Sequence, residues 1–140
     1  MKQILLLSLT ILLITGCKKA IKKTQEQIAA SLIEKAITDG QWLVSVYNDG
    51  TDYKTEFDVY EFQFKTNRTV DAIKNSVTES TGSWGENSTE FTITADYPSN
   101  ANPTLQRLDG VWKIKDSNWT WVKATQTING KLTTLELRKK

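Results

Sequence analysis

The spacing of apolar residues changes twice along this chain of 140 residues. Residues 4–14 are almost unbroken apolar positions, residues 24–38 place apolar residues three or four apart, and from Gln41 onwards apolar and polar residues alternate. A spacing of three to four is typical of an amphipathic helix, whereas alternation is typical of a strand with one buried face. The pattern therefore predicts a short hydrophobic N-terminal segment, one helix, and then a domain built from β-strands.

The predicted helix, residues 24–38, carries recognisable signals at both ends. Thr24 followed by Gln27 resembles a capping box, and Gly40 stands where a helix stop is expected. The apolar stripe of this helix consists of Ile28, Leu32, Ile33, Ala36 and Ile37. Such a stripe usually packs on the domain that it precedes, so we expect the helix to cover one end of the β-domain. Docking of a partner protein on the helix is the alternative.

Turn signals divide the alternating region into eight or nine short strands. Tight turns are predicted at Asn48-Asp49-Gly50, Asn67-Arg68, Asp109-Gly110 and Asn129-Gly130, and the longest loop is predicted over residues 97–104. Strands are predicted over residues 42–47, 60–65, 69–77, 82–85, 90–96, 111–115, 119–127 and 132–137. This spacing is typical of a barrel or a sandwich, and consecutive hairpins favour an up-and-down barrel. The predicted fold class is all-β, a barrel of about eight strands preceded by one amphipathic helix.

The N-terminus has the three parts of a secretory signal, namely Lys2, the apolar stretch, and small residues before Cys17. The apolar stretch is shorter than the roughly 20 residues of a membrane-spanning helix. The ending Leu13-Ile14-Thr15-Gly16-Cys17 resembles the lipobox of bacterial lipoproteins. The resemblance implies cleavage after Gly16, diacylation of the Cys17 thiol and acylation of the new amino group. An ordinary secretory signal with a chance cysteine is the alternative.

Basic residues are concentrated directly after the predicted cleavage site, at Lys18, Lys19, Lys22 and Lys23. From Thr24 onwards the chain has 13 basic and 16 acidic residues, a net charge of −3. The body therefore lacks a basic face, and together with the export signal this argues against a nucleic-acid partner. The lysines act as a solvated, flexible spacer or bind anionic lipid headgroups, at about 1 kcal/mol per residue, and the two roles are compatible.

The domain division follows from these signals. We predict a lipoprotein signal peptide over residues 1–16, a basic tether over 17–23, an amphipathic helix over 24–39 and a β-barrel domain over 40–140. Removing the signal peptide leaves 124 residues, which is the length of one domain.

Several motifs resemble those of lipocalins and of the lipocalin-like lipoproteins of Gram-negative bacteria. Gly40-Gln41-Trp42 is similar to the lipocalin G-x-W, in which the tryptophan packs across the closed end of an eight-stranded barrel. The wider similarity rests on Tyr60-Glu61-Phe62-Gln63-Phe64, Gly82-Ser83-Trp84, Leu108-Asp109-Gly110-Val111-Trp112 and the final Leu132-Thr133-Thr134-Leu135-Glu136-Leu137. The helix at 24–38 departs from the short members of this family. Since the family has no established common activity, the resemblance implies the fold more than the function.

Aromatic content suggests a place for a ligand. The chain has five tryptophans, four tyrosines and four phenylalanines, and a small barrel either fills its interior with side chains or holds one small ligand. The residues predicted to line the barrel are Val44, Tyr60, Phe62, Phe64, Phe91, Ile93, Trp112, Trp119 and Trp121. The alternative is that they simply fill the core, because aromatic side chains bury large areas. Trp42 and Trp84 are predicted to be structural, and Trp119 and Trp121 would sit outside if they form a membrane-facing rim.

The sequence offers few residues that could act as catalysts. The chain has no histidine and one cysteine, so the commonest acid–base and nucleophilic arrangements are missing. The carboxylate pairs Asp49 with Asp52 and Glu56 with Asp58 are typical of solvated turns, and residues 49–52 lack the further ligands of a calcium loop. We therefore predict no catalytic residue, no metal site and no cofactor.

Two hypotheses for the function follow. The first is a membrane-anchored binding protein that holds a small apolar ligand or lipid in its barrel. The second is an envelope protein with a filled barrel that docks a partner protein. A hydrolase is a third hypothesis that no motif supports. Lys18 stands where an inner-membrane retention signal would have Asp, and no acidic residue follows it closely as in a surface-export tag. We expect a monomer attached to the bilayer through acylated Cys17, in the outer membrane and facing the periplasm.

Overall fold

The structure is a computed structural model that describes residues 14–140, without the side chains at 14–21, 23 and 24. The predicted signal peptide therefore lies almost entirely outside the described residues. In chain order the elements are α1 (Ile14–Thr38), β1 (Trp42–Asn48), α2 (Lys54–Phe57), β2 (Tyr60–Phe64), β3 (Thr69–Lys74), β4 (Val77–Asn87), β5 (Thr92–Asp96), α3 (Pro103–Gln106), β6 (Gly110–Ser117), β7 (Trp121–Ile128) and β8 (Lys131–Lys139).

The eight strands form one closed antiparallel barrel. Each strand pairs with the next along the chain, and β1 also pairs with β8, which closes the sheet. The order is that of an up-and-down meander, so the predicted fold class is confirmed. Closure pairs the first and last strands and thereby removes the exposed edges at which sheets aggregate.

One predicted strand boundary is wrong. The strand predicted over 69–77 ends at Lys74, and the strand predicted over 82–85 is the middle of β4. The two strands are joined by Asn75 and Ser76, whose φ angles are 52° and 64°. Two adjacent residues in the left-handed region are the geometry of a type I′ hairpin turn. Asn75-Ser76 lacks the glycine that usually marks this turn, so alternation alone predicts a continuous strand through it.

An irregularity in β1 changes which residues face the interior. Strict alternation from Trp42 and Val44 would place Val46 inside and Tyr47 outside. The pairing with β8 instead shifts register between Val44 and Val46, and Tyr47 is buried with only 2 % of its surface exposed. An extra residue in one strand reverses the facing of everything beyond it. The sequence analysis therefore missed Tyr47 as a core residue.

Helix α1 crosses the end of the barrel at which β1 begins. It starts ten residues before the predicted Thr24, so the segment predicted as a basic tether, 17–23, has helical backbone. Two hydrogen bonds attach the helix to the barrel: the Trp42 indole nitrogen donates to the Ile37 carbonyl oxygen at 2.8 Å, and the Ser88 hydroxyl donates to the Glu26 carbonyl oxygen at 3.1 Å.

Arg68 adds a charged attachment on one side of the helix. Its guanidinium donates to Glu34 of α1 at 3.0 Å and forms a two-pronged pair with Glu86 of β4. The same guanidinium lies 4.7 Å from the centre of the Trp84 ring. A two-pronged carboxylate pair and an aromatic face hold the planar group in one orientation, so Arg68 fixes the position of α1 across the barrel end.

A buried carboxylate on the barrel wall makes stability depend on pH. Asp71 of β3 accepts a hydrogen bond from the Thr81 hydroxyl at 2.8 Å and pairs with the Lys65 ammonium. Burial raises the pKa of Asp71, but the hydrogen bonds from Lys65 and Thr81 and the charge of Lys65 together outweigh it, so the pKa lies below its ordinary value of 3.8. The stabilisation is therefore present at neutral pH and is lost as the pH falls through the lowered pKa.

We expect Asp71→Asn to lower the free energy of unfolding by about 1 kcal/mol at neutral pH, since the partly exposed Lys65 is screened by solvent. The loss should shrink as the pH falls through the lowered pKa of Asp71, because the wild-type carboxylate then becomes protonated too. Urea denaturation at a series of pH values measures this. Asp58→Asn is the matched control, because the Asp58–Lys54 pair is exposed on both sides. An Asp71→Asn loss that stays constant with pH would contradict the assignment.

Candidate functional site

The interior of the barrel is almost completely filled by its own side chains. One cavity of about 40 Å³ remains near the centre. It is lined by Phe62, Phe64, Val70, Ile93, Ala95, Tyr97, Leu108, Trp112, Val122, Ala124, Leu135 and Leu137. Pockets for small-molecule ligands are typically roughly 300–1,000 Å³, whereas this space holds a few water molecules at most. The barrel in this conformation has no room for a fatty acid or a haem.

Four of the nine residues predicted to line the barrel do surround this cavity. They are Phe62 and Phe64 on β2, Ile93 on β5 and Trp112 on β6. Val44 and Tyr60 are buried in the core beyond the cavity lining. The Tyr60 hydroxyl donates to the Glu79 carboxylate, and burial, followed by this hydrogen bond, raises the pKa of Tyr60 to about 12. Its polar end is therefore already paired within the protein.

Three predicted lining residues lie away from the cavity. Phe91 precedes β5 with a φ of 53°, and this left-handed backbone turns its side chain out to 56 % exposure. Trp119 belongs to the turn between β6 and β7 and is 52 % exposed. Trp121 is half-buried at the start of β7. The strand predicted over 119–127 begins at Trp121 instead, because Asn118 Oδ1 accepts hydrogen bonds from the backbone nitrogens of Thr120 and Trp121 and holds 118–120 as a turn.

The barrel end remote from α1 is closed by the loops that carry α2 and α3. The Tyr47 ring stacks on Phe57 with ring centres 5.2 Å apart and meets the edge of Trp112 at 6.1 Å. The Tyr47 hydroxyl donates to the Arg107 carbonyl oxygen at 2.9 Å, and the Arg107 guanidinium lies 3.8 Å from the centre of the Tyr53 ring. The β1–β2 loop, which carries α2, and the β5–β6 loop, which carries α3, are therefore held to each other and to the core.

Sequence reasoning missed this closure, although one signal for it was present. The segment 97–104 was predicted as a loop, yet α3 begins within it and buries Leu105 completely. Asn102 accepts a hydrogen bond from Thr104 N, and Pro103 occupies the first helical position. An asparagine cap followed by proline is a helix-start pattern, so α3 was predictable, whereas its burial was not.

The opposite end is closed by Trp42 and Trp84, as predicted for structural residues. Trp42 is completely buried beneath α1, with the Lys139 ammonium 5.4 Å from the centre of its ring. The Trp84 indole nitrogen donates to the Lys65 carbonyl oxygen at 2.9 Å, and its ring meets Phe64 edge-on at 5.7 Å. Trp42 and Trp84 therefore fill much of the α1 end of the barrel.

A larger groove lies between α1 and the barrel, beside Trp42 and the adjoining parts of β5, β6 and β7. It shares Ile93 and Val122 with the lining of the interior cavity. Its volume is about 210 Å³. The groove is lined by Leu32, Ile33, Ala36, Ile37, Trp42, Ile93, Ile114, Ser117, Asn118, Trp119 and Val122. The exposed side chains at its two rims are Leu32 on the helix and Trp119 on the barrel.

The described residues offer little catalytic chemistry. Among residues 14–140 with described side chains, no three histidine, cysteine, aspartate or glutamate side chains cluster as metal ligands would. The Tyr97 hydroxyl is buried without a hydrogen-bond partner among the described atoms, and burial, followed by the charges of Asp109 and Asp71, raises its pKa. A phenol held in its neutral form is unsuited to act as a base. No helix in the described part of the chain is both long and apolar enough to cross a bilayer.

Comparison with known proteins places the fold but names no activity. The crystal structure of a DUF4847 family protein from Bacteroides vulgatus is similar, with a TM-score of 0.53 and 12 % sequence identity, covering 76 % of this chain and 96 % of that one. No protein-family model and no curated protein matches the sequence. At this identity the likeness shows the fold alone: the chain is an eight-stranded barrel similar to that of a DUF4847 family protein.

Proposed function

We propose that this protein is a lipid-anchored envelope protein that works through its outer surface and docks a partner protein, with its barrel serving as a filled scaffold. The observation that carries the proposal is the small volume of the interior cavity, about 40 Å³. A carrier of a small apolar ligand would need several times that volume. The filled-barrel hypothesis is therefore favoured over the ligand-holding one.

The barrel end formed by α2 and α3 is the surface best suited to a protein partner. It carries the two longest connections of the barrel, residues 49–59 and 97–109. Binding residues are commonly found on loops that a rigid scaffold positions. Here Tyr47 and Phe57 lie beneath the loops, while Arg107 connects to Glu56 at 3.6 Å and Thr104 donates to Glu56 at 3.0 Å. Two rigid loops with charged side chains form a preorganised face, which lowers the entropy lost on binding.

Attachment at Cys17 would give this face its orientation. Cys17 lies near the start of α1, and α1 covers the barrel end opposite to α2 and α3. Acylation of Cys17 would place the α1 end near the bilayer and the α2–α3 end away from it. Two or more acyl chains make such attachment stable, whereas one chain is marginal. We propose the outer membrane, with the barrel in the periplasm, as the setting of this contact.

In-cell photo-cross-linking tests the proposed partner face. A photoreactive amino acid at Thr55 or Asn100, both exposed on the α2–α3 end, should give a discrete cross-linked protein band. The same probe at Thr94, exposed on the barrel wall, is the matched control and should give a much weaker band. Mass spectrometry of the purified band identifies the partner.

Two outcomes would contradict the proposal. Equal labelling from Thr55, Asn100 and Thr94 would mean that no specific partner occupies the α2–α3 end. Organic extraction of the purified protein that releases one lipid or other apolar molecule per chain, beyond the acyl chains on Cys17, would mean that the barrel opens and carries a ligand after all.

A further inference from the structure

The α1 end of the barrel exposes a group of large apolar side chains. Ile28 and Leu32 on α1 are 56 % and 51 % exposed, and Trp119, across the groove from Leu32, is 52 % exposed. Single exposed apolar residues are normal on protein surfaces. Leu32 and Trp119, however, flank one groove, and Ile28 lies one helical turn before Leu32 on α1. A grouped apolar surface of this kind at one end of the molecule marks a contact site.

Helical spacing connects this group to the predicted lipid attachment. α1 runs without interruption from Ile14 to Thr38, so positions 17, 21, 28 and 32 belong to one helix. Intervals of four, seven and eleven residues are close to whole numbers of helical turns, and these positions therefore fall on one stripe. By backbone position, the predicted attachment site lies near the start of α1 on the same side of the helix as the exposed Ile28 and Leu32.

Two orientations of α1 relative to the bilayer can be compared. At 1.5 Å per residue, Leu32 lies roughly 22 Å along the helix axis from Cys17. If α1 stood upright on the bilayer, Ile28 and Leu32 would be held in water, far above the acyl chains. If α1 lies along the bilayer surface, the stripe with Cys17 faces the lipid throughout its length, and Trp119 approaches the headgroup layer, where tryptophan is enriched.

The charges near the stripe suit a lipid surface. The segment between Cys17 and Gln25 contains four lysines and no acidic residue, and Lys22 is exposed. Lys115, near the end of β6 that leads to Trp119, is also exposed. Lysines beside an apolar stripe are typical of helices that lie in the membrane interface. A partner protein offers no comparable reason for the stripe to continue into the lipidated position.

We propose that the α1 end is a second, non-covalent membrane contact, in which α1 lies along the bilayer with Ile28, Leu32 and Trp119 in the headgroup region. The inference rests on the proposed attachment at Cys17. It assigns to the exposed stripe of α1 a lipid surface containing anionic headgroups. The contact turns a flexible lipid attachment into a fixed orientation, with the α2–α3 end directed away from the membrane.

Site-specific labelling of the full lipoprotein tests this orientation. The acylated protein is reconstituted into vesicles of phosphatidylethanolamine and phosphatidylglycerol, with an environment-sensitive fluorophore on Leu32→Cys or, as the matched control, on Leu132→Cys. Leu132 is 64 % exposed on the β7–β8 hairpin, at the opposite end of the barrel. Brominated lipids should quench the label at position 32 several-fold more than the label at position 132.

Different outcomes would overturn the membrane contact and the proposed attachment at Cys17. Equal, weak quenching at both positions, with the protein still bound to the vesicles, would overturn the membrane contact and leave the attachment intact. Loss of the protein from the vesicles, or labelling of the unsubstituted chain at a free Cys17 thiol, would overturn the attachment itself.

Tryptophan substitutions provide a second readout in the same vesicles. Three of the five tryptophans, Trp42, Trp84 and Trp112, are buried in the barrel. We therefore expect Trp119→Phe to remove most of the quenching of intrinsic fluorescence by brominated lipids, while Trp121→Phe removes little. Quenching that survives Trp119→Phe unchanged would mean that Trp119 is not the tryptophan near the lipid, which would overturn the proposed contact.

Discussion

Replacing Trp42 by alanine should lower the free energy of unfolding by about 3–5 kcal/mol, the range for removing a large aromatic side chain from a core. Trp42 is completely buried where β1 meets α1, and its indole nitrogen donates to the Ile37 carbonyl oxygen. The substitution leaves a void at the barrel end and removes the partner of a helix-terminal carbonyl. Urea denaturation followed by far-ultraviolet circular dichroism measures the loss without relying on tryptophan fluorescence.

Two control variants separate the contribution of the buried ring from that of the hydrogen bond to Ile37. Trp119→Ala removes an equally large but half-exposed side chain and should change stability by less than about 0.5 kcal/mol. Trp42→Phe keeps most of the ring volume but removes the hydrogen bond to Ile37, so its loss should lie between those of the two alanine variants. Equal losses for Trp42→Ala and Trp119→Ala would contradict the closed barrel end described above.

Replacing Gly82 by alanine should destabilise the barrel by about 1–3 kcal/mol, the range for overpacking a filled core. A Cβ atom at position 82 would lie 2.6 Å from the Asp96 carbonyl oxygen and 3.1 Å from Cδ1 of Tyr97. The Tyr97 ring packs on the bare backbone of β4 at this point, and the backbone of Asp96 cannot move aside without disturbing the β4–β5 pairing. Thermal or urea unfolding measures the loss.

Gly85, three residues further along β4, is the matched control for Gly82. A Cβ atom there would have Thr94 Oγ1 as its nearest neighbour, at 3.9 Å. Gly85→Ala should therefore be neutral or stabilising by up to about 1 kcal/mol, since alanine restricts the unfolded chain. If both alanine variants cost the same, the loss would come from the strand in general rather than from the contact with Tyr97.

Gly82 bears directly on the proposed function. A carrier barrel keeps its interior open, whereas here the Tyr97 ring packs against Gly82 on the inner face of β4. A large loss for Gly82→Ala would mean that the filled interior stabilises the fold. The surfaces left for function are then the α2–α3 face, proposed to dock a protein, and the α1 end, proposed to lie on the membrane.

Much of the barrel was predictable because its signals are local. Alternation along Tyr60–Phe64 and glycine-containing turns such as Asn129-Gly130 depend only on neighbouring residues. The predicted facing of a side chain was wrong where the backbone departed from regular strand geometry. The shift in β1 turned Tyr47 inwards, and the left-handed backbone at Phe91 turned an aromatic residue outwards. A single inserted or left-handed residue changes which face a side chain takes, and alternation alone does not reveal it.

For the candidate site, too, some features follow from the sequence and others only from the tertiary structure. The sequence by itself determined the alternating strands, the preceding helix and the buried positions expected of Trp42 and Trp84, because each follows from residues close together in the chain. The lipid attachment at Cys17 stays a prediction. Only the tertiary structure decided that the interior holds about 40 Å³, that α2 and α3 close one end, and that Ile28, Leu32 and Trp119 meet at the other. Interior volume is what remains after many side chains from eight strands have packed together, and a shared surface depends on elements nearly 90 residues apart in the chain.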